Sequence, residues 1–331
     1  MTHRRFFAAL LAAALLGIAI SGCSGSGSGY SYRSGSGMIW NTSYNITYKG
    51  PQSFEDSVLA ALKNVERSVS VFDDASLVSR INRGEDLTVD SIFATVYRTS
   101  VLVHKESGGY FDPTLAPLIS AYGFGEGEPR HLSQAQLDSV MESVGLSKTS
   151  LKGGRLLKSH PGIQFNFSAI AKGFGCDEAG RALRRLGCSD YLVEIGGEIA
   201  ASGHPDHGGK WNISVDKPIF SRSEVHESMV VIAVTDCGVA TSGNYRNFRK
   251  IDGKVAGHTI DVTTGRPSQS DMLSATIVAP SCMLADAYAT ACMAMGSTRA
   301  KAMISRLGLA AMLVTADGEV WESDGFKKLI I

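Results

Sequence analysis

Apolar and polar positions alternate over residues 38–48 (MIWNTSYNITY), which predicts a first strand rich in β-formers. The period then changes. Val58, Leu59, Leu62, Val65 and Val69 recur at helical spacing, so residues 53–72 read as a helix. SLVSRIN (76–82) reads as a short capped helical segment, and residues 90–107 as an amphipathic helix ended by Gly108 and Gly109. The turn at 109–114 offers Asp112 and Thr114 as N-cap residues for a helix starting near Pro113. Residues 133–144 form the next helical pattern and LKGGRLLK (151–158) a hairpin. IQFNFSAIAKGF (163–174) reads as a strand breaking into a small-residue turn, followed by a helix over DEAGRALRRLG. YLVEIGGEIAASG (191–203) is a pair of strands about a double glycine. Further strands fall at 211–218, 229–240, 274–280, 310–315 and 318–323, with a polar turn at 241–245 and helices at 284–295 and 298–307. No internal repeat appears, and composition does not break after Gly37. The pattern predicts an α+β fold: a single interlocked body of mixed β-sheet and helices.

The first residues depart from this pattern. A basic His3-Arg4-Arg5, an apolar run over 6–20 and small residues before Cys23 read as a secretory signal. The Ile20-Ser21-Gly22-Cys23 end resembles a bacterial lipobox, which predicts acylation at Cys23. Residues 1–22 are then a signal peptide, 23–37 an acylated cysteine and a Gly/Ser-rich tether (SGSGSGYSYRSGSG), and 38–331 the folded body. The expected location is the bacterial cell envelope, lipid-anchored on the periplasmic side of a membrane.

Composition changes this picture little. The chain of 331 residues is 44% hydrophobic and 19% charged, enough for a sizeable core. Lys plus Arg and Asp plus Glu both total 32, so no net charge points to nucleic acid. The five cysteines besides Cys23 match no zinc spacing and read as small buried thiols.

Chemistry concentrates in residues 257–296. Asp286 and Thr290 are four apart on one helix, so their oxygens share a face; together they can hold a hard cation such as Mg²⁺, or cap and brace their own helix. The strand–turn–helix at 163–174 presents backbone N–H groups to an anion, with Lys172 in reach of a phosphate. Glu194 and Glu198 interrupt an apolar run, as carboxylates do when paired or facing a cleft. His258 is either a general base or a hydrogen-bonded turn residue. Asp261 orients that imidazole or caps the Thr264-Gly265 turn.

Six segments in series resemble the ApbE family, the FAD:protein FMN transferases of bacterial envelopes. They are GGYFDPTLAPL (109–118), FSAIAKGFGCDEAGRAL (167–183), LVEIGGEIAASG (192–203), VATSGNYRNF (239–248), HTIDVTTGRP (258–267) and LADAYATACMAMG (284–296). The resemblance implies the family's fold and a cleft for FAD, with Mg²⁺ held by Asp286, Thr290 and a backbone oxygen near Ala169. It implies transfer of FMN from FAD to a threonine hydroxyl of an envelope flavoprotein, releasing AMP, with His258, Asp261 and Lys172 as catalytic residues. The alternatives are an FAD pyrophosphatase giving FMN and AMP, and a flavin-binding lipoprotein without turnover. Cofactor contacts would come from Met38, Phe72, Asp112, Thr114, Tyr122, Lys172, Glu194, Gly196, Gly197, Ser242, Gly243 and His258. Two departures stand out. The family's Met-Gly-Thr is matched only loosely by Trp40-Asn41-Thr42, and Asn166 stands where many members have Asp. Residues 271–276 (DMLSAT) faintly resemble a flavinylation acceptor, but their apolar continuation reads as a strand.

Overall fold

The computed structural model describes residues 29–85, 87–124, 130–219, 227–243 and 259–331, together with the backbone of 248–251 and 254–257. The signal peptide, Cys23 and the start of the tether lie outside the described residues, as does His258. No described helix is long and apolar enough to cross a membrane.

In chain order the first half holds β1 (Ser31–Ile39), β2 (Thr42–Gly50), α1 (Glu55–Val69), α2 (Leu77–Asn82), α3 (Ser91–Glu106), α4 (Ala116–Ala121), α5 (Gln134–Glu142), β3 (Thr149–Lys152), β4 (Arg155–Lys158) and α6 (Ala171–Arg185). Strands then dominate: β5 (Tyr191–Ile195), β6 (Glu198–Ser202), β7 (Trp211–Asp216), β8 (Ser228–Val234), β9 (Cys237–Gly243), β10 (Phe248–Ile251), β11 (Lys254–Gly257), β12 (Ile260–Asp261), β13 (Arg266–Pro267) and β14 (Met272–Ala279). The chain closes with α7 (Cys282–Met295), α8 (Ser297–Leu307), β15 (Ala310–Thr315), β16 (Val320–Glu322) and α9 (Asp324–Lys327).

The main sheet has eight strands in the order β1-β2-β5-β6-β9-β14-β15-β16, every neighbouring pair antiparallel. Strands from both ends of the chain meet in it, which is why the body is one unit. The β5–β6 segment contributes Val193, Ile195 and Ala200 to a core shared with Val58 and Leu62 of α1 and Ala179 and Leu183 of α6. Ala275 and Ile277 of β14 share a second core with the inner face of α7. On the opposite side, Trp211, Ile213 and Ile232 of the β7–β8 hairpin pack with Val239, Met312 and Phe326. Burial on both faces accounts for the near-continuous apolar run of β14. Thr276, in the acceptor-like segment, is buried within that strand and bonded to Thr241 at 2.9 Å.

Three expectations need correction. The tether does not extend to Gly37, because Ser31–Ile39 pairs residue for residue with Thr42–Gly50. The segment lacks apolar mass but is ordered by ladder hydrogen bonds, and its glycines admit close neighbours. A Cβ on Gly35 would lie 2.7 Å from the Glu55 carboxylate, and one on Gly37 2.8 Å from the Tyr44 ring. Residues 163–167 are extended but belong to no sheet. The alternating burial of Ile163, Phe165 and Phe167 mimics a strand, yet Asn82 takes the place of a neighbouring one. Its side chain accepts from the Phe165 N–H at 2.7 Å and donates to the Phe165 carbonyl at 2.8 Å. The stretch 229–240 likewise divides into β8 and β9 at Asp236, whose φ is 50°.

Backbone packs closely against backbone at the start of α7. A Cβ on Gly238 would lie 2.1 Å from the Cys282 backbone nitrogen, and one on Gly173 2.3 Å from the Cys282 carbonyl oxygen. Backbone cannot yield as a flexible side chain can. Gly238→Ala is therefore expected to destabilise the protein by about 2–3 kcal/mol, read as a lowered melting temperature; an unchanged one would contradict this packing.

Candidate active site

Helices α6 and α7 meet at their N-termini, where the first N–H groups lack partners within the helix. Each helix supplies the other's cap. Asp177, on α6, accepts from the backbone N–H of Cys282 at 2.9 Å and of Met283 at 3.0 Å. Asp286, on α7, accepts from the Gly173 N–H at 3.0 Å. Asp286 thus caps a helix other than its own, whose N-cap is Ser281. Thr290, one turn further along α7, faces Ser242 on β9, with the hydroxyls 3.3 Å apart.

Lys172 extends from the first turn of α6 to Glu198 at the start of β6, with Nζ 2.5 Å from Oε2. Glu198 and Asp286 are both only 3% exposed. Burial drives the Glu198 carboxyl up to about 7, opposed by Lys172 and reinforced by Asp286. Burial likewise raises Asp286, with Lys172 and the Gly173 N–H pulling the other way. Lys172 would be lowered by burial, but Glu198 and Asp286 together hold it above its usual value. Two buried carboxylates share one ammonium, and an imbalance of this kind fits an added cation. The donor set available to a cation is one carboxylate, one hydroxyl and the main chain. Among the described residues, no three His, Cys, Asp or Glu side chains cluster closely enough to hold a metal by themselves. Ala169 lies in the turn that precedes α6.

The β5–β6 turn completes the cluster. Gly196 and Gly197 have φ of 64° and 100°, which favours glycine at both. Glu194 accepts from the Gly197 N–H and from the Asn45 amide, both at 2.6 Å. Ser242 and Gly243 close β9 nearby, through the Thr290 contact.

Other expected contacts fall elsewhere. Asp112 and Thr114 are spent on local structure. The Asp112 carboxylate accepts from the Thr114 N–H and hydroxyl and from the Leu146 N–H, at 2.8, 2.6 and 2.9 Å. Thr114 in turn accepts from the Gly145 N–H at 2.7 Å. Both side chains are buried, and they pin the 112–115 turn to residues 145–146, with Asp112 the N-cap expected of it. Tyr122 is buried in a cluster with Leu118, Leu137 and Ile260 rather than offering a stacking face. Met38 and Phe72 are 72% and 64% exposed. Asp261 caps its own turn, accepting from the Thr263 N–H at 2.8 Å and hydroxyl at 2.6 Å. Asn166 forms a similar turn, accepting from the Ser168 N–H at 2.9 Å. The five described cysteines are free thiols. Sequence reading missed Asp177, whose partners lie 105 and 106 residues away and leave no local signature.

The sequence model of the ApbE family matches residues 40–313. The chain belongs to the ApbE family. Membership makes it a transferase. Relatives named FAD:protein FMN transferase include that of Escherichia coli K12, 30% identical over 308 residues, which span 89% of this chain and 87% of the relative. That of Vibrio cholerae is 33% identical over 304 residues, 88% of this chain and 89% of the relative. Among solved structures, the flavin transferase ApbE from Vibrio cholerae superposes with a TM-score of 0.80 at 30% identity, covering 91% of this chain and 99% of that one. The apo flavinyl transferase ApbE of Pseudomonas stutzeri gives 0.81 at 27% identity, covering 91% and 97%.

Two outcomes test the electrostatics of this ApbE site. Asp177→Ala leaves two helix N–H groups without their carboxylate and is expected to cost about 1–3 kcal/mol, measured by denaturant unfolding. Glu198 has a folded pKa of about 7 against an ordinary 4.5. Its contribution to stability is therefore complete below 4.5 and is lost as pH rises through about 7. Without divalent cations the melting temperature should fall across that window, and Glu198→Gln should flatten the fall.

Proposed function

We propose that this ApbE-family chain is an Mg²⁺-dependent FAD:protein FMN transferase, moving FMN from FAD onto a threonine hydroxyl of an acceptor flavoprotein and releasing AMP. The observation that carries the reading is the paired buried carboxylates with a single lysine at the α6–α7 junction. The names borne by the relatives from Escherichia coli and Vibrio cholerae support it.

In this reading Asp286, Thr290 and the Ala169 carbonyl hold Mg²⁺, which would neutralise charge on the pyrophosphate oxygens. The acceptor oxygen attacks the phosphorus of the FMN half. The bond from that phosphorus to the bridging oxygen breaks, AMP leaves with that oxygen, and the threonine proton passes to His258. Lys172 supplies positive charge beside the pyrophosphate, and Glu198 holds the ammonium in place. The glycines at 196 and 197 let main chain approach the flavin without a side chain intervening. Residues 1–22 direct export and Cys23 carries the lipid, so the body works on envelope flavoproteins at the membrane surface.

The test incubates the protein with FAD and Mg²⁺, with and without a candidate acceptor flavoprotein, and follows AMP and in-gel flavin fluorescence. AMP release that requires both acceptor and Mg²⁺, with a fluorescent acceptor band, is expected. Asp286→Ala should lower the rate by about 100-fold or more. AMP release indifferent to the acceptor would instead establish the pyrophosphatase, and bound FAD without AMP the non-catalytic lipoprotein.

A further inference from the structure

Cys282 is the first residue of α7, and one face of α6 is turned on it. Cys176 and Asp177 follow Gly173 by three and four positions, so the three share that face. A Cβ on Gly173 would lie 2.3 Å from the Cys282 carbonyl oxygen, and Asp177 accepts from the Cys282 N–H at 2.9 Å. Cys176 and Cys282 are both fully buried. The Cys176 thiol donates to the Glu198 carbonyl at 3.1 Å, and Cys282 Sγ lies 3.8 Å from the Val239 carbonyl. Those carbonyls belong to adjacent strands, since Ile199 of β6 pairs with Val239 of β9. The two thiols also hydrogen-bond to each other.

The other described thiols lie elsewhere. Cys188 abuts Gly50 beyond the far end of α6, Cys237 packs on the side of the β7–β8 hairpin, and Cys292 shares the core of Ala275 and Ile277. A single buried cysteine serves well enough as a small apolar side chain. Two in contact across a helix junction can also be oxidised to a bond. This junction would gain from one. Docking α6 on α7 buries Glu198 and Asp286, and one lysine answers two carboxylates. A covalent link would hold the helices together against that repulsion.

We propose that Cys176 and Cys282 are a disulfide-forming pair, and that oxidation by an external disulfide staples α6 to α7. One cysteine thiolate attacks a sulfur of that disulfide and displaces the first thiol. The second cysteine then attacks the mixed disulfide and displaces the other. The two cysteine protons end on the two released thiols, and the two electrons reduce the oxidant. Burial pushes both cysteines above the usual thiol range, so the closed junction is unreactive. The bond therefore forms while the helices are docking or when the junction opens. It closes a loop of about 100 residues. The inference holds whatever substrate the junction serves.

The full chain is refolded in excess oxidised glutathione or in reduced glutathione alone, and each product is digested without reduction and mapped by mass spectrometry. A peptide pair linked through Cys176 and Cys282 is expected only in the oxidised sample, with the melting temperature raised by about 5 °C. Cys176→Ala and Cys282→Ala should each abolish that difference between the two samples, and Cys292→Ala should keep it. The inference is overturned if both thiols can still be alkylated after oxidation and denaturation, or if another pair forms instead. A link between Cys176 and Cys282 that leaves the melting temperature unchanged overturns the staple. Should either alanine variant not fold, the peptide map and melting of the unmodified protein decide alone.

Discussion

The structure depends on a reciprocal exchange of carboxylates between two helix N-termini. Asp177 of α6 accepts from the first N–H groups of α7, and Asp286 of α7 accepts from an N–H in the first turn of α6. An isolated helix start must find water or a nearby polar side chain. Ser281 satisfies the Leu284 N–H within α7, but the Cys282, Met283 and Gly173 N–H groups find these carboxylates only once the two helices meet. The backbones then come so close that Gly173 and Gly238 exclude any Cβ around Cys282. Capping, dipole stabilisation and steric fit all specify the same contact.

The consequence for chemistry is a concentration of charge in a dry place. The Gly173 N–H of α6 is capped by the carboxylate at 286, which is buried out of water. Glu198 adds a second buried negative charge and Lys172 answers only one of the two. A fold optimised for stability alone would place apolar side chains of similar volume here. On the function proposed above, the surplus negative charge would be met by a cation and the helix start beside it would take phosphate. Stability would then be surrendered where the substrate restores it.

Much of the fold was legible because periodicity reports which face is covered. The helices at 55–69 and 91–106, the β5–β6 hairpin and the strand at 272–279 all follow their patterns to within a few residues. Sequence also singled out Asp286, Thr290, Lys172 and Glu198, since polar groups in apolar runs are conspicuous. Three things were not legible. Residues 31–37 looked like a tether because hydropathy does not report ladder hydrogen bonds, and their glycines serve close packing. Residues 163–167 looked like a strand because an extended segment braced by Asn82 buries alternate side chains just as a strand does. Asp112 read as a cap, as it is, but the partners of Asp112 and Thr114 at 145–146 are more than thirty residues away. In the last two cases the deciding partner is distant in sequence.

That distance also orders assembly. The β1–β2, β3–β4 and β5–β6 hairpins join near neighbours and can form locally. The active cluster cannot. Gly173 and Asp286 are 113 residues apart, and Lys172 meets Glu198 only after the β5–β6 turn has closed. Long-range contacts must overcome chain entropy before they contribute anything. The burial of Glu198 and Asp286 is therefore tied to the same step that docks α6 on α7, and at that step the charges oppose closure while the caps favour it. A cation present at docking would remove the opposition. Ligand binding and completion of the fold then draw on a single set of interactions, and a substitution at the junction that relieves charge gains stability by giving up the site.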